Sequence, residues 1–334
     1  MALPTPSPPS QSTMAYRGGT QISAGQLLKY GLLLFVGAAF FDGLLRILTG
    51  AAIISFLQQY AAWGARVNLA GPALAIFSGI IVLGAAVVIL PLVGVPISII
   101  PGPSIDLNNL NPRSLATDKR VILVSMMIIF TLFIDSIGLL VMRATVPGVT
   151  ELIAAILLGV AYFAFMRGGV LRFPPLILSL VVLVGGIFLT IAGFTGAGTL
   201  MSAHLGVAGI GIIIAAIPML LSSINPQTAS SVNKLFIVVA LVLTISLIVG
   251  GAVIIWQSTG YFRYGGLIAA SGAVGVLTGL LGLIAGLLLM VVTLIKISKA
   301  LQVAPTQPTQ QPAEAPVAPP EGEGVPPAPP PPPE

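Results

Sequence analysis

Cysteine is absent from this chain, histidine occurs once, at His204, and only 7% of the residues carry charge. No cysteine means no disulfide, no thiolate metal site and no iron–sulfur cluster. One histidine excludes a bis-histidine haem and cannot make a metal site alone, so no cofactor and no metal is expected. Low charge excludes a soluble protein, because ordinary domains carry about 25% charged residues. Long polar stretches are also missing between the apolar ones. No connection reaches the roughly 50 residues a soluble catalytic domain requires, and no P-loop occurs. An enzyme is therefore not expected.

What is present is oil. Mean hydropathy is +1.07, and apolar runs repeat from Leu27 to Ile297. A spanning helix needs about 20 apolar residues. Eight such spans are predicted, at 26–48, 70–92, 121–142, 149–166, 173–194, 205–222, 235–256 and 267–295. Runs such as VILVSMMIIFTLFI do not alternate, which excludes a transmembrane β-barrel. The fold expected is all-α, a polytopic membrane helix bundle of about eight transmembrane helices within 25–302. It is preceded by a disordered leader over 1–24 and followed by a disordered proline-rich tail over 303–334. The lipid bilayer is its first partner.

The basic residues set an orientation. With the N-terminus inside, Arg17, Lys29, Arg113, Lys119, Arg120, Arg167, Arg172, Lys234, Lys296 and Lys299 fall inside. Only Arg66, Arg143 and Arg263 fall outside, and Arg46 lies within the first span. This bias predicts that both termini are cytoplasmic. It also accounts for the net charge of +5 without a nucleic-acid partner.

Two apolar pieces do not fit the span pattern. Residues 50–64 are too short to cross and are expected in the outer interface or as a re-entrant piece, with Tyr60 and Trp63 at headgroup level. Residues 93–105 are broken by Pro96, Pro101 and Pro103 and are expected at the cytoplasmic face. Echoes between FFD at 40–42 and FID at 133–135, and between VGG at 184–186 and at 249–251, leave an internal duplication open.

Glycine provides the clearest packing signal. Gly272, Gly275, Gly279, Gly282 and Gly286 fall on one face of the last span, and small residues let helices approach closely in lipid. This face is expected against another helix. Whether that helix belongs to the same chain, a second copy or another membrane protein stays open.

Charges at membrane depth are costly, and each asks for an explanation. Asp42 and Arg46 stand one turn apart as an i,i+4 pair. Asp135 has no base within a turn of its own span, and Arg143 lies two turns away. Asp135, with Asp42 and Arg46, is the candidate ion or proton site. Glu151 follows Thr150, which reads as a helix N-cap, so a structural role at the helix start is expected. His204 is expected in an outer loop. Asp42, Asp135 and the PAL triplet at 72–74 together resemble intramembrane aspartyl proteases, which pair two aspartates from neighbouring helices. The Gly-x-Gly-Asp pattern of that family is missing here, and PAL precedes Asp135 instead of following it.

The tail holds thirteen prolines, four glutamates and no base from Pro305 to Glu334. Such a strand is extended polyproline II that buries no core. It reads either as a docking strip for an aromatic-lined groove or as a spacer. Three functions remain, in this order: a structural or assembly component of a membrane complex, a small-solute or ion transporter or channel, and, last, the intramembrane aspartyl-protease-like enzyme of the resemblance.

Overall fold

The computed structural model describes residues 23–64, 66–95, 118–166, 174–195, 202–224 and 229–302. Residues 1–22 of the expected leader, the 93–105 segment beyond Val95 and the tail lie outside these residues, while the leader's last two, Ser23 and Ala24, cap and begin the first helix. Eight helices are long and apolar enough to cross a membrane, and no strand occurs among the described residues. They are α1 (Ala24–Ala62), α2 (Ala70–Ile89), α3 (Lys119–Val141), α4 (Thr145–Met166), α5 (Pro175–Thr195), α6 (Ser202–Ile224), α7 (Ala229–Tyr261) and α8 (Gly266–Gln302). The chain is an all-α, multi-pass membrane bundle.

Local chemistry sets the helix ends. Ser23 and Gln26 close α1 with a reciprocal capping box, as side chains that satisfy orphan N–H groups do. Pro91 turns the end of α2 into a short 3-10 segment, Leu90–Val93, and Gly94 stops it at φ 86°. Only a residue that tolerates the left-handed region fits there. The ammonium end of Lys29 packs on Gly94, a favourable place for a cation at a helix C-terminus. Asp118 caps α3 by accepting from the Arg120 backbone N–H at 2.8 Å and from its guanidinium at 2.7 and 3.0 Å. Arg120 thereby holds the Asp118 carboxyl below its usual range.

The first helix differs from expectation. Residues 50–64 are neither re-entrant nor a separate interfacial piece: α1 runs unbroken to Ala62. The stretch AAIISFLQQYAA contains no proline and no internal glycine, so nothing stops propagation. Gly50 packs on the Pro72 carbonyl oxygen near the start of α2. The helix beyond it, residues 51–62, adds about 18 Å. Phe56, Tyr60 and Trp63 stack along that extension, with ring centroids 4.9 and 5.6 Å apart. Trp63 is 81% exposed. His204, expected in a loop, lies in the first turn of α6.

Each helix lies against its chain neighbours, and α8 returns to α1. A Cβ on Gly31 would meet Leu289 at 2.9 Å, and one on Gly37 would meet Leu281 at 3.7 Å. Three close crossings set glycine against glycine. Gly43 and Gly79 join α1 to α2, each facing the other's carbonyl oxygen at 2.7 and 2.6 Å from the position a Cβ would take. Gly251 and Gly279 do the same for α7 and α8 at 2.6 Å, and Gly186 and Gly209 for α5 and α6 at 3.1 and 2.8 Å. Without a hydrophobic force between helices in lipid, such close approach supplies the packing energy.

The glycine stripe of α8 faces α7 of the same chain. Gly272 lies under the Ser258 carbonyl, Gly275 under the Ser258 hydroxyl, Gly279 on Gly251 and Gly286 on Ile248. Gly282 stands further off, at 3.9 Å from Gly251 Cα. A second copy would have to use another surface.

Candidate functional site

A tight turn fixes the depth of two acids. Helix α3 ends at Val141, and Arg143 takes the left-handed conformation, φ 64°. The Ala144 N–H then reaches back to the Leu139 carbonyl oxygen, the six-to-one bond of a Schellman motif. The chain reverses at once into α4. Asp135 and Glu151 stand eight residues before and after that turn, so they sit at the same level on adjacent helices.

Thr150 is not the cap, and Glu151 not the first-turn acid, expected from the sequence. Helix α4 starts at Thr145, six residues earlier, and the Thr150 hydroxyl donates to the Val146 and Pro147 carbonyl oxygens. Proline at the third position of α4 is compatible with a helix start, because its missing N–H would be unpaired there anyway. The start therefore moves out, and Glu151 moves into the bundle. Its side chain is buried, the residue 3% exposed, and Oε1 has no hydrogen-bond partner among the described residues.

Arg46 organises the site. Its Nε donates to Asp42 Oδ2 on the same helix at 3.0 Å. Its Nη1 donates to Ser78 Oγ on α2 at 2.6 Å and to Asp135 Oδ2 on α3 at 2.5 Å. One guanidinium thus ties three helices together. The side chains of Arg46, Asp135 and Asp42 are only 10%, 15% and 22% exposed, and Ser78 is fully buried. Arg143 is not the partner of Asp135. A cation from another helix supplies what no base in its own span did.

Glu151 lies within electrostatic reach of both Asp135 and Arg46. Four successive helices therefore send a polar side chain to one region, with three carboxylates around one guanidinium. Thr49, one turn from Arg46, carries a buried hydroxyl that also lacks a partner among the described residues. The sequence contained a weak signal for the missed residue. Glu151 is the last acid before Glu314, and an acid seven residues into a helix cannot serve its first turn.

The two aspartates meet on Arg46 and not on each other. An aspartyl protease needs two carboxylates sharing one proton, and a guanidinium placed between them removes that arrangement. Several other intramembrane hydroxyls bond carbonyl oxygens of their own helices, while the Tyr162 hydroxyl donates across to the Ile122 carbonyl oxygen on α3 at 3.1 Å. Thr131 bonds Met127 O, Ser136 bonds Phe133 O, Thr190 bonds Gly186 O and Thr244 bonds Leu241 O. Among the described residues no three of His, Asp and Glu are arranged to hold a metal ion.

A pocket of about 380 Å³ opens at the same end, lined by Asn68, Gly71, Val141, Met142 and Arg143. Gly71 and Met142 each stand seven residues from Ser78 and Asp135, about 10 Å along their helices. The pocket therefore lies two turns beyond the charge cluster. No family model matches the sequence, and neither a curated protein nor a solved structure matches it.

Proposed function

We propose that this multi-pass membrane protein is a carrier or channel for a small ion that acts through Asp42, Arg46, Asp135 and Glu151. One observation carries the reading: four consecutive helices converge on a buried cluster with more acid than base. Intramembrane ionisable groups are expensive and mark ion paths by default, and packing alone needs none of them. The pocket beyond the cluster supports an approach from the α1–α2 end. By the count of basic residues that end faces outward and both termini are cytoplasmic. The protein is then a transporter or channel and not an enzyme.

The test is flux in vesicles reconstituted with the full chain, with Asp135→Asn as the control. Flux in the wild type that falls at least about tenfold in the variant supports the reading, a change of roughly 1.4 kcal/mol in the barrier. Equal flux in both, or none in either, rejects it.

A second reading is an assembly component of a membrane complex. It is favoured by Thr131, Ser136, Thr190 and Thr244, whose hydroxyls bond carbonyl oxygens of their own helices, and by the glycine crossings, both features of a rigid bundle. Its partners would be other membrane proteins or a second copy. A mild-detergent pull-down, full-length chain against a chain ending at Leu301, tests it. Stoichiometric partners lost with the tail would favour this reading over transport.

A further inference from the structure

We propose that the ion bound at this site is a proton, held on Glu151 and exchanged with Asp135 as Arg46 moves between the two carboxylates; the proposal rests on the carrier reading above. The argument is charge balance. Arg46 is a single positive charge already bonded to Asp42 and Asp135. Glu151 is 97% buried, close to both, and its Oε1 accepts no hydrogen bond from any described residue. An isolated carboxylate away from water neutralises itself, since its desolvation is far dearer than its protonation.

Every helix around Glu151 can be checked for a competing base. Helix α5, on one side of α4, carries no ionisable side chain from Pro175 to Thr195. Helix α2 carries none from Ala70 to Ile89. Helix α3 contributes Asp135 at this level, with Lys119 and Arg120 four turns away at its other end. Helix α1 contributes Asp42 and Arg46. No cation other than Arg46 faces Glu151 from these elements. A metal ion is a poorer occupant than a proton, because the acids are not arranged as a ligand set.

The exchange balances. In the first state the Glu151 carboxyl holds the proton and the guanidinium rests on the Asp135 carboxylate, as seen here. The O–H bond of Glu151 breaks heterolytically, and the proton adds to an Asp135 oxygen, directly or through one water. Arg46 then loses its attraction to the neutral Asp135 and turns to the newly charged Glu151. Net charge of the cluster is unchanged, so neither state buries an extra charge. Asp135 is closer to the pocket on α3, two turns below Met142, and is the member that trades its proton with water.

The chain allows a clean test. The other four glutamates are Glu314, Glu321, Glu323 and Glu334, all in the proline-rich stretch. Replacing these four by glutamine leaves Glu151 as the single glutamate in an otherwise intact, full-length bundle. With carboxyl-13C glutamate and the protein in lipid bilayers, solid-state NMR then reads Glu151 alone. The expected result at neutral pH is the shift of a neutral carboxylic acid. A carboxylate shift would overturn the proposal. Adding Asp135→Asn frees Arg46, and the Glu151 signal should then move to the carboxylate position. If it stays neutral, the exchange is wrong. The Glu151→Gln variant, close in shape and always neutral, should lose proton flux in vesicles. If the NMR result is as expected but vesicles pass no ion, the proton site stands and the carrier reading falls. If vesicles pass an ion at a rate indifferent to pH and to Glu151→Gln, the proton site falls and the carrier reading stands.

Discussion

The two halves of this bundle hold their helices by different means. Helices α1–α4 meet around a guanidinium and three acids. Helices α5–α8 contain no acidic residue at all, since none occurs between Glu151 and Glu314. That second half packs through Gly186 on Gly209, Gly251 on Gly279 and the stripe of α8. Both halves use glycine crossings, with Gly43 on Gly79 in the first. The charges of the first half therefore come in addition to a glycine crossing of the kind the second half also uses. Buried ion pairs are weak evidence for stability, and apolar replacements of similar volume often do as well.

The sharpest way to break this contrast is to remove Arg46 alone. Arg46→Ala leaves Asp42 and Asp135 buried without a cation and should cost about 3–5 kcal/mol, read as unfolding in mixed micelles. An unchanged midpoint would mean the clamp does not hold α1, α2 and α3 together. Gly279→Leu tests the other half: its side chain would start 2.6 Å from the Gly251 carbonyl oxygen. Overpacking of this kind costs about 1–3 kcal/mol, and the variant should lose its native size in detergent. If it stays folded at that size, the α7–α8 crossing is not the close contact described.

A combined change converts one half into the other. Asp42→Leu, Arg46→Met, Asp135→Leu and Glu151→Leu together should keep stability within roughly 2 kcal/mol of the wild type while flux in vesicles is lost. Collapse of that variant would make the cluster structural after all. Ser78→Ala removes one of three acceptors from Arg46 and should cost about 1 kcal/mol in the same unfolding assay. A cost as large as that of Arg46→Ala would show that Ser78, not the acids, anchors the guanidinium.

The smallest effect belongs to Asp118, away from both crossings. Its carboxyl is held below the ordinary value of 3.8 in the folded chain. Its stabilisation is complete above that value and disappears as pH falls through the lower, folded one. Asp118→Ala should therefore narrow the loss of stability on acidification and cost about 0.5–1 kcal/mol at neutral pH. If wild type and variant respond alike to acid, the Asp118–Arg120 contact is not formed in the membrane.

The sequence by itself determined the membrane class, the eight spans and the face carrying the α8 glycines. Each follows from local quantities: the length of an apolar run, and a spacing of three and four. It also placed Asp42 and Arg46 on one helix face, because i,i+4 is a local relation. The tertiary structure decided what crosses between helices. That Asp135 meets Arg46 across 89 residues, and that Gly279 meets Gly251 and not a second copy, depend on which helices become neighbours. Hydropathy is silent on this, since every apolar helix is equally content in lipid. Glu151 shows the same limit at short range. Proline at 147 let the helix begin early, and one and a half extra turns carried an expected first-turn acid into the buried charge cluster around Arg46. A residue's depth depends on where its helix starts, and here a turn built on a left-handed arginine set that start.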